Sequence, residues 1–171
     1  PHDGSQVTMS SFSSWGPTDD GRVKPDVVAS GVALTSSSDA GTNAYTSMSG
    51  TSMSAPSVTG AAALLIEDYR ALYSADPRSA TTKGLLMHNA TDAGNPGPDF
   101  IYGYGLVDVE RAAEFLDASR ADTPTNWVEE ASYDGARMRY EVEIDNTNAF
   151  KTTLVWTDPA PASLPGDGLD D

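Results

Sequence analysis

The chain has 171 residues, enough for one domain or for one and part of a second, and a globular composition with 39% hydrophobic residues. A net charge of −15 with only ten Lys and Arg excludes nucleic acid and anionic membranes as natural partners, because both need a cationic surface. With no cysteine there is neither a disulfide framework nor a thiolate metal site. No run of 18 apolar residues and no signal peptide is present, and Pro1 in place of Met points to a processed or excised piece.

In chain order, Val7 to Phe12 reads as a short strand, followed by a polar turn through Ser13-Ser14-Trp15-Gly16-Pro17. Asp19-Asp20-Gly21 is a second turn. Arg22-Val23-Lys24-Pro25-Asp26-Val27-Val28-Ala29-Ser30-Gly31 is an extended X-Pro segment with a brief apolar strand and a solvated Arg/Lys/Asp cluster. Tyr45 to Met48 is a further short strand. It delivers the chain to Ser49-Gly50-Thr51-Ser52-Met53-Ser54-Ala55-Pro56, a small-residue turn opening a long helix. Ala55, Val58, Ala62, Leu65, Tyr69 and Leu72 recur at three-four spacing and define its buried face. Charge enters only at Glu67, Asp68 and Arg70, so the front of this helix is expected deep in a core, with Pro56 near its first turn.

Asp76-Pro77 starts a second helix, from about Arg78 to Asn89, weakened by Gly84. Thr91 to Tyr104, rich in Gly, Pro and Asp, is a surface loop. Gly103-Tyr104-Gly105 leads into a third helix capped by Asp108, with Val109, Ala112, Ala113 and Leu116 on one face. Beyond a polar connector from Asp117 to Thr125, Met138, Tyr140, Val142 and Ile144 alternate with charged residues as in a strand. Asn146-Thr147-Asn148 turns, and Lys151 to Thr157 returns. Two or three strands bury no second face, so this is the opening of a β-sandwich or a sheet docked on the first unit. Asp158, Asp167, Asp170 and Asp171 in the tail offer oxygen ligands for a structural calcium, but without EF-hand-like spacing a solvated acidic tail is the plainer reading.

The chemistry points to Ser52. A serine on a tight turn at a helix N-terminus lies beside unpaired N–H groups and the positive end of the helix dipole. Such groups stabilise an oxyanion in acyl transfer, although most serines before helices merely cap them. The full string Gly50-Thr51-Ser52-Met53-Ser54-Ala55-Pro56, running into a small-residue helix, resembles the nucleophile motif of the subtilisin-like serine proteases, the subtilases. Ser11-Phe12-Ser13-Ser14-Trp15-Gly16-Pro17, Lys24-Pro25-Asp26-Val27-Val28-Ala29-Ser30-Gly31 and the glycine turn at 103–105 resemble segments of that family in the same order, from about Val7 to Leu116.

The resemblance implies an α/β fold: the C-terminal part of a subtilisin-like three-layer architecture with a parallel sheet over 1–118. An incomplete β-sandwich over 119–171 would follow, since Leu154-Val155-Trp156-Thr157-Asp158 is similar to the jelly-roll-like domain of some large secreted alkaline subtilases. It also implies a serine endopeptidase acting on polypeptides outside the cell, with no cofactor required for the chemistry. Ser52 would be the nucleophile, Thr51 would support the oxyanion hole, and Met48, Ser49, Gly50 and Met53 would line the cleft.

A serine nucleophile also needs a base and an orienting carboxylate. His2 lacks the His-Gly-Thr-His context of the family, and His88 on the second helix reads as a partly buried structural histidine. The Asp and His of the triad are therefore expected upstream, outside this chain, which alone would be inactive. Two other classes remain open: a non-catalytic subtilase-derived binding or structural module, and a serine esterase of unrelated fold, for which the order and motif are wrong.

Overall fold

The computed structural model describes residues 4–121, 126–135, 137–144 and 150–157. Its frame is three helices: α1 (Thr51–Tyr73), α2 (Ser79–Asn89) and α3 (Val109–Ser119). Local chemistry accounts for two of their ends. Ser74 ends α1 in the left-handed conformation at φ 53°, its N–H donating to Arg70 O at 2.9 Å. The Asp108 carboxylate caps α3 by accepting from Arg111 N at 3.0 Å, as expected from the sequence.

The core lies where the three helices meet. Ala61, Leu65 and Tyr69 of α1, Leu85 and Leu86 of α2, and Ala112 and Leu116 of α3 form one buried cluster. Leu65 and Leu116 retain 1% and 0% of their surface and mark its centre. Tyr69 and Tyr73 stack with ring centroids 4.2 Å apart, and the Tyr73 hydroxyl meets Ser119 Oγ at 2.6 Å, tying the end of α1 to that of α3. At the end of α2 the buried Asn89 amide donates to Leu85 O at 2.9 Å, which satisfies a polar group that burial would otherwise penalise.

The front of α1 departs from expectation. Thr51, Ser52, Ala55, Pro56, Ser57 and Leu64 are exposed, and burial begins only at Ala61. The apolar spacing correctly identified the helix, but among the described residues no element covers its first half. Pro56 is also the sixth helical residue, past the first turn. Having no N–H, it leaves the Ser52 carbonyl without an i+4 donor.

The described residues form one ladder, an antiparallel pair of β1 (Leu34–Ser37) and β2 (Tyr45–Met48) in the register Leu34 to Met48 and Ser37 to Tyr45. Parallel pairing is reduced to a single bridge between Val28 and Leu106, and Leu106 also bridges Thr91 antiparallel. The three-layer parallel sheet is thus not formed by these residues alone. Val7 to Phe12 is not a strand either: a 3₁₀ turn at Gly4–Gln6 leads into irregular backbone and a turn at 11–12.

The closing turn is built on glycine. Gly103 has φ 61° and Gly105 φ 116°, and a Cβ on either would lie 2.0 Å from Pro25 O or 2.1 Å from Thr91 O. Only glycine allows the turn between these two segments.

No strand is assigned at 137–144 or 150–157, and Met138, Tyr140, Ile144, Leu154 and Trp156 are exposed. Two alternating segments without further rows cannot bury their apolar faces. The expected turn at Asn146-Thr147-Asn148 and the aspartates Asp158, Asp167, Asp170 and Asp171 lie outside the described residues. The 150–157 segment nonetheless lies along α2. Lys151 Nζ donates to His88 O, Thr153 Oγ1 bonds His88 Nδ1 at 2.9 Å, and Val155 rests over Gly84.

Candidate active site

The serine turn is held from behind by residues 29–33. Gly50 N donates to Gly31 O at 2.8 Å, Ala33 N to Ser49 Oγ at 2.8 Å, and Ser54 Oγ to Ala29 O at 3.0 Å. Gly50 is the N-cap of α1 and offers no side-chain acceptor, while its carbonyl takes Met53 N at 3.0 Å. Among the described residues, Thr51 N–H and Ser52 N–H therefore have no carbonyl partner and point out of the helix end.

Among the described residues, two hydroxyls of the turn, those of Thr51 and Ser52, are left without a partner. Ser49 accepts from Ala33, Ser54 donates to Ala29, and Ser57 donates to Met53 O at 3.2 Å. Ser52 is exposed and its hydroxyl has no partner among the described residues. It stands at the positive end of a 23-residue helix next to free donors. Of the other expected site residues, Thr51, Met48 and Ser49 are exposed, and Gly50 and Met53 are half-buried, all on this turn or the end of β2. The Ser49 hydroxyl accepts from Ala33 N, which ties this residue to the 29–33 segment.

A base is not among these groups. His88 is half-buried in the last turn of α2, its ring 4.9 Å from that of Phe115 and its Nδ1 on Thr153. Burial, and then the Lys151 and Arg111 cations, hold its pKa below the usual histidine value. It is the structural histidine expected from the sequence. His2 lies outside the described residues.

Elsewhere, Asp26 accepts from Lys24 Nζ at 2.6 Å and Lys83 Nζ at 3.1 Å. Although burial pushes its pKa up, the two lysines prevail and hold it below the ordinary carboxylate value. A cavity of about 430 Å³ lined by Val27, Val58, Ile66, Leu86 and Met87 opens beside this cluster and does not include the serine turn. Among the described residues no group of three or more His, Cys, Asp or Glu is placed to hold a metal ion.

The sequence reading did not single out Ser54, Ala29, Gly31 or Ala33. Nothing local could have paired Ser54 with a carbonyl 25 positions away.

Residues 4–105 match the Subtilase family. The chain is 38% identical over 117 residues to the C5a peptidase of Streptococcus pyogenes, covering 64% of this chain and 10% of that protein. It is 39% identical over 110 residues to subtilisin DY of Bacillus licheniformis, covering 64% of this chain and 34% of that protein. In structure it is similar to the CspB protease of Clostridium perfringens, with a TM-score of 0.56 and 31% identity over 69% of this chain and 25% of the other. The chain thus spans about a tenth to a third of the curated relatives it matches. No helix among the described residues is long and apolar enough to cross a membrane. With more than half its length matching, the chain belongs to the subtilase family of serine proteases.

Proposed function

We propose that the chain is the nucleophile-bearing part of a subtilisin-type serine endopeptidase that cleaves polypeptides through an acyl-enzyme on Ser52. The observation that carries this reading is the partnerless Ser52 hydroxyl at an uncapped helix N-terminus with free N–H groups beside it. In the reaction, Ser52 Oγ attacks the scissile carbonyl carbon and its proton passes to an imidazole base. The carbonyl oxygen becomes an oxyanion that accepts from Ser52 N–H, with Thr51 supporting the hole. Collapse transfers the proton to the leaving amine, and water then releases the acyl group by the reverse sequence. No cofactor enters these steps.

The base and its orienting Asp come from an upstream segment of the catalytic domain outside these 171 residues. That segment also completes the parallel sheet begun by the Val28–Leu106 bridge and covers the exposed front of α1. Residues beyond 118 belong to an appended jelly-roll-like domain, the protein acts outside the cell, and calcium, if bound, is structural. A non-catalytic module is favoured by one feature, the absence of a base near Ser52 among the described residues, and the same experiment decides it.

The full-length protein, treated with a fluorophosphonate, should carry its adduct on Ser52 and lose peptidase activity. Ser52→Ala should abolish both. An adduct elsewhere, or proteolysis surviving in Ser52→Ala, refutes the assignment. The isolated chain, lacking base and acid, should show no more than trace hydrolysis because triad members act as a unit.

A further inference from the structure

Residues 29–33 meet the serine turn at alternate positions: Ala29 through its carbonyl, Gly31 through its carbonyl and Ala33 through its N–H. The Ala29 and Gly31 carbonyls face the turn from one side of the segment, and the chain then bends at 32–33, with Ala33 at φ 54°, to bring the Ala33 N–H onto Ser49. On the turn, one of the three partners is backbone, Gly50 N–H, and the other two are the hydroxyls of Ser49 and Ser54 on either side of it. A Cβ on Gly31 would come within 2.9 Å of Gly50 O and 3.3 Å of Ser54 Cβ, so the two backbones touch with no side chain between them. Ser54 follows Ser52 by two helical residues, about 200° around the axis. One hydroxyl therefore faces inward to Ala29 while the other faces out.

We propose that Ser54 is a positioning residue for Ser52: its bond to Ala29 O pins the first turn of α1 to the 29–33 segment and so fixes where the Ser52 hydroxyl and N–H stand. The inference rests on the reading of Ser52 as nucleophile. Ser54 touches no substrate. Without its hydroxyl the turn keeps two of its three ties and can rock about Gly50, moving the oxyanion donor while leaving the cleft wall in place. The cost therefore falls on the chemical step, not on substrate binding.

In the full-length protein, Ser54→Ala should lower kcat and the fluorophosphonate labelling rate about tenfold, with KM changed less than twofold. Gly31→Ala places a methyl 2.9 Å from Gly50 O and 3.3 Å from Ser54 Cβ and so pushes the same turn away from the 29–33 segment. It should give the same kcat defect, and the double variant should be little worse than either single one. Independently of catalysis, the Gly50 amide should exchange faster in Ser54→Ala than in the wild-type 171-residue chain. Unchanged kcat, or kcat and KM deteriorating together with a lowered Tm, overturns the positioning role, and unchanged Gly50 exchange overturns the clamp. If wild type forms no Ser52 adduct, the nucleophile assignment fails and the catalytic role of Ser54 with it, whereas Gly50 exchange still reports on the clamp alone.

Discussion

Gly84→Ala sets two local effects against each other. Gly84 lies inside α2, where alanine is favoured over glycine by about 1 kcal/mol through backbone entropy. The added methyl, however, would sit 3.2 Å from Val155 Cγ2 and 3.8 Å from its Cβ. Carbon atoms prefer about 3.5–4.0 Å, so Val155 must retreat by a few tenths of an ångström. Val155 is half-buried, and its segment is tied to the same helix two residues earlier by Thr153 on His88. The gain in α2 and the loss in the strap nearly cancel, leaving global stability within about 0.5 kcal/mol. Locally they separate. Hydrogen exchange followed by mass spectrometry should show residues 79–89 slowed about fivefold, the factor corresponding to 1 kcal/mol, and residues 150–157 accelerated. If 150–157 exchanges at the wild-type rate, Val155 is not seated on Gly84 and the packing of this segment on α2 is refuted.

Two further outcomes can be measured on the same chain. Leu116→Ala, at a position with no exposed surface between α1 and α3, should cost about 2–5 kcal/mol in urea unfolding, and a loss below 1 kcal/mol would contradict its place at the centre of the core. His88 has a depressed pKa in the folded chain, so the folded state binds its proton less readily than the unfolded one. Its contribution is complete above the unfolded value of about 6.5 and is lost as pH falls through the lower folded value. Stability should therefore drop more steeply from pH 7 toward 5 in wild type than in His88→Gln, and parallel curves would remove His88 from this role.

What could be read in the sequence depended on how local its cause is. The α3 cap needs only Asp108 and the amide three residues on, and it is where the sequence placed it. The α1 helix follows from periodicity within one segment, as do its buried Leu65 and Tyr69. The exposed front of α1 was misjudged because hydropathy reports which surface seeks cover, not whether the chain supplies it. The alternation from Met138 to Ile144 failed in the same way: period two specifies a face, but a strand exists only when a neighbour takes its backbone bonds. At the site, the motif singled out Ser52 from residues within one short segment. The bonds to Ala29, Gly31 and Ala33 were invisible because each spans 16 to 25 residues.

Leu64 is 58% exposed on the uncovered front of α1, beside exposed Ala63 and on the same helix as exposed Ala55. With a net charge of −15 this makes the isolated 171-residue chain a colloid held apart by its own field. Repulsion between copies reaches about 10 Å at 0.1 M salt and only about 3 Å at 1 M, where apolar patches can approach before they are turned away. In the isolated 171-residue chain the acidity thus keeps one copy's helix from another's. High salt removes that protection by shortening the reach of the repulsion.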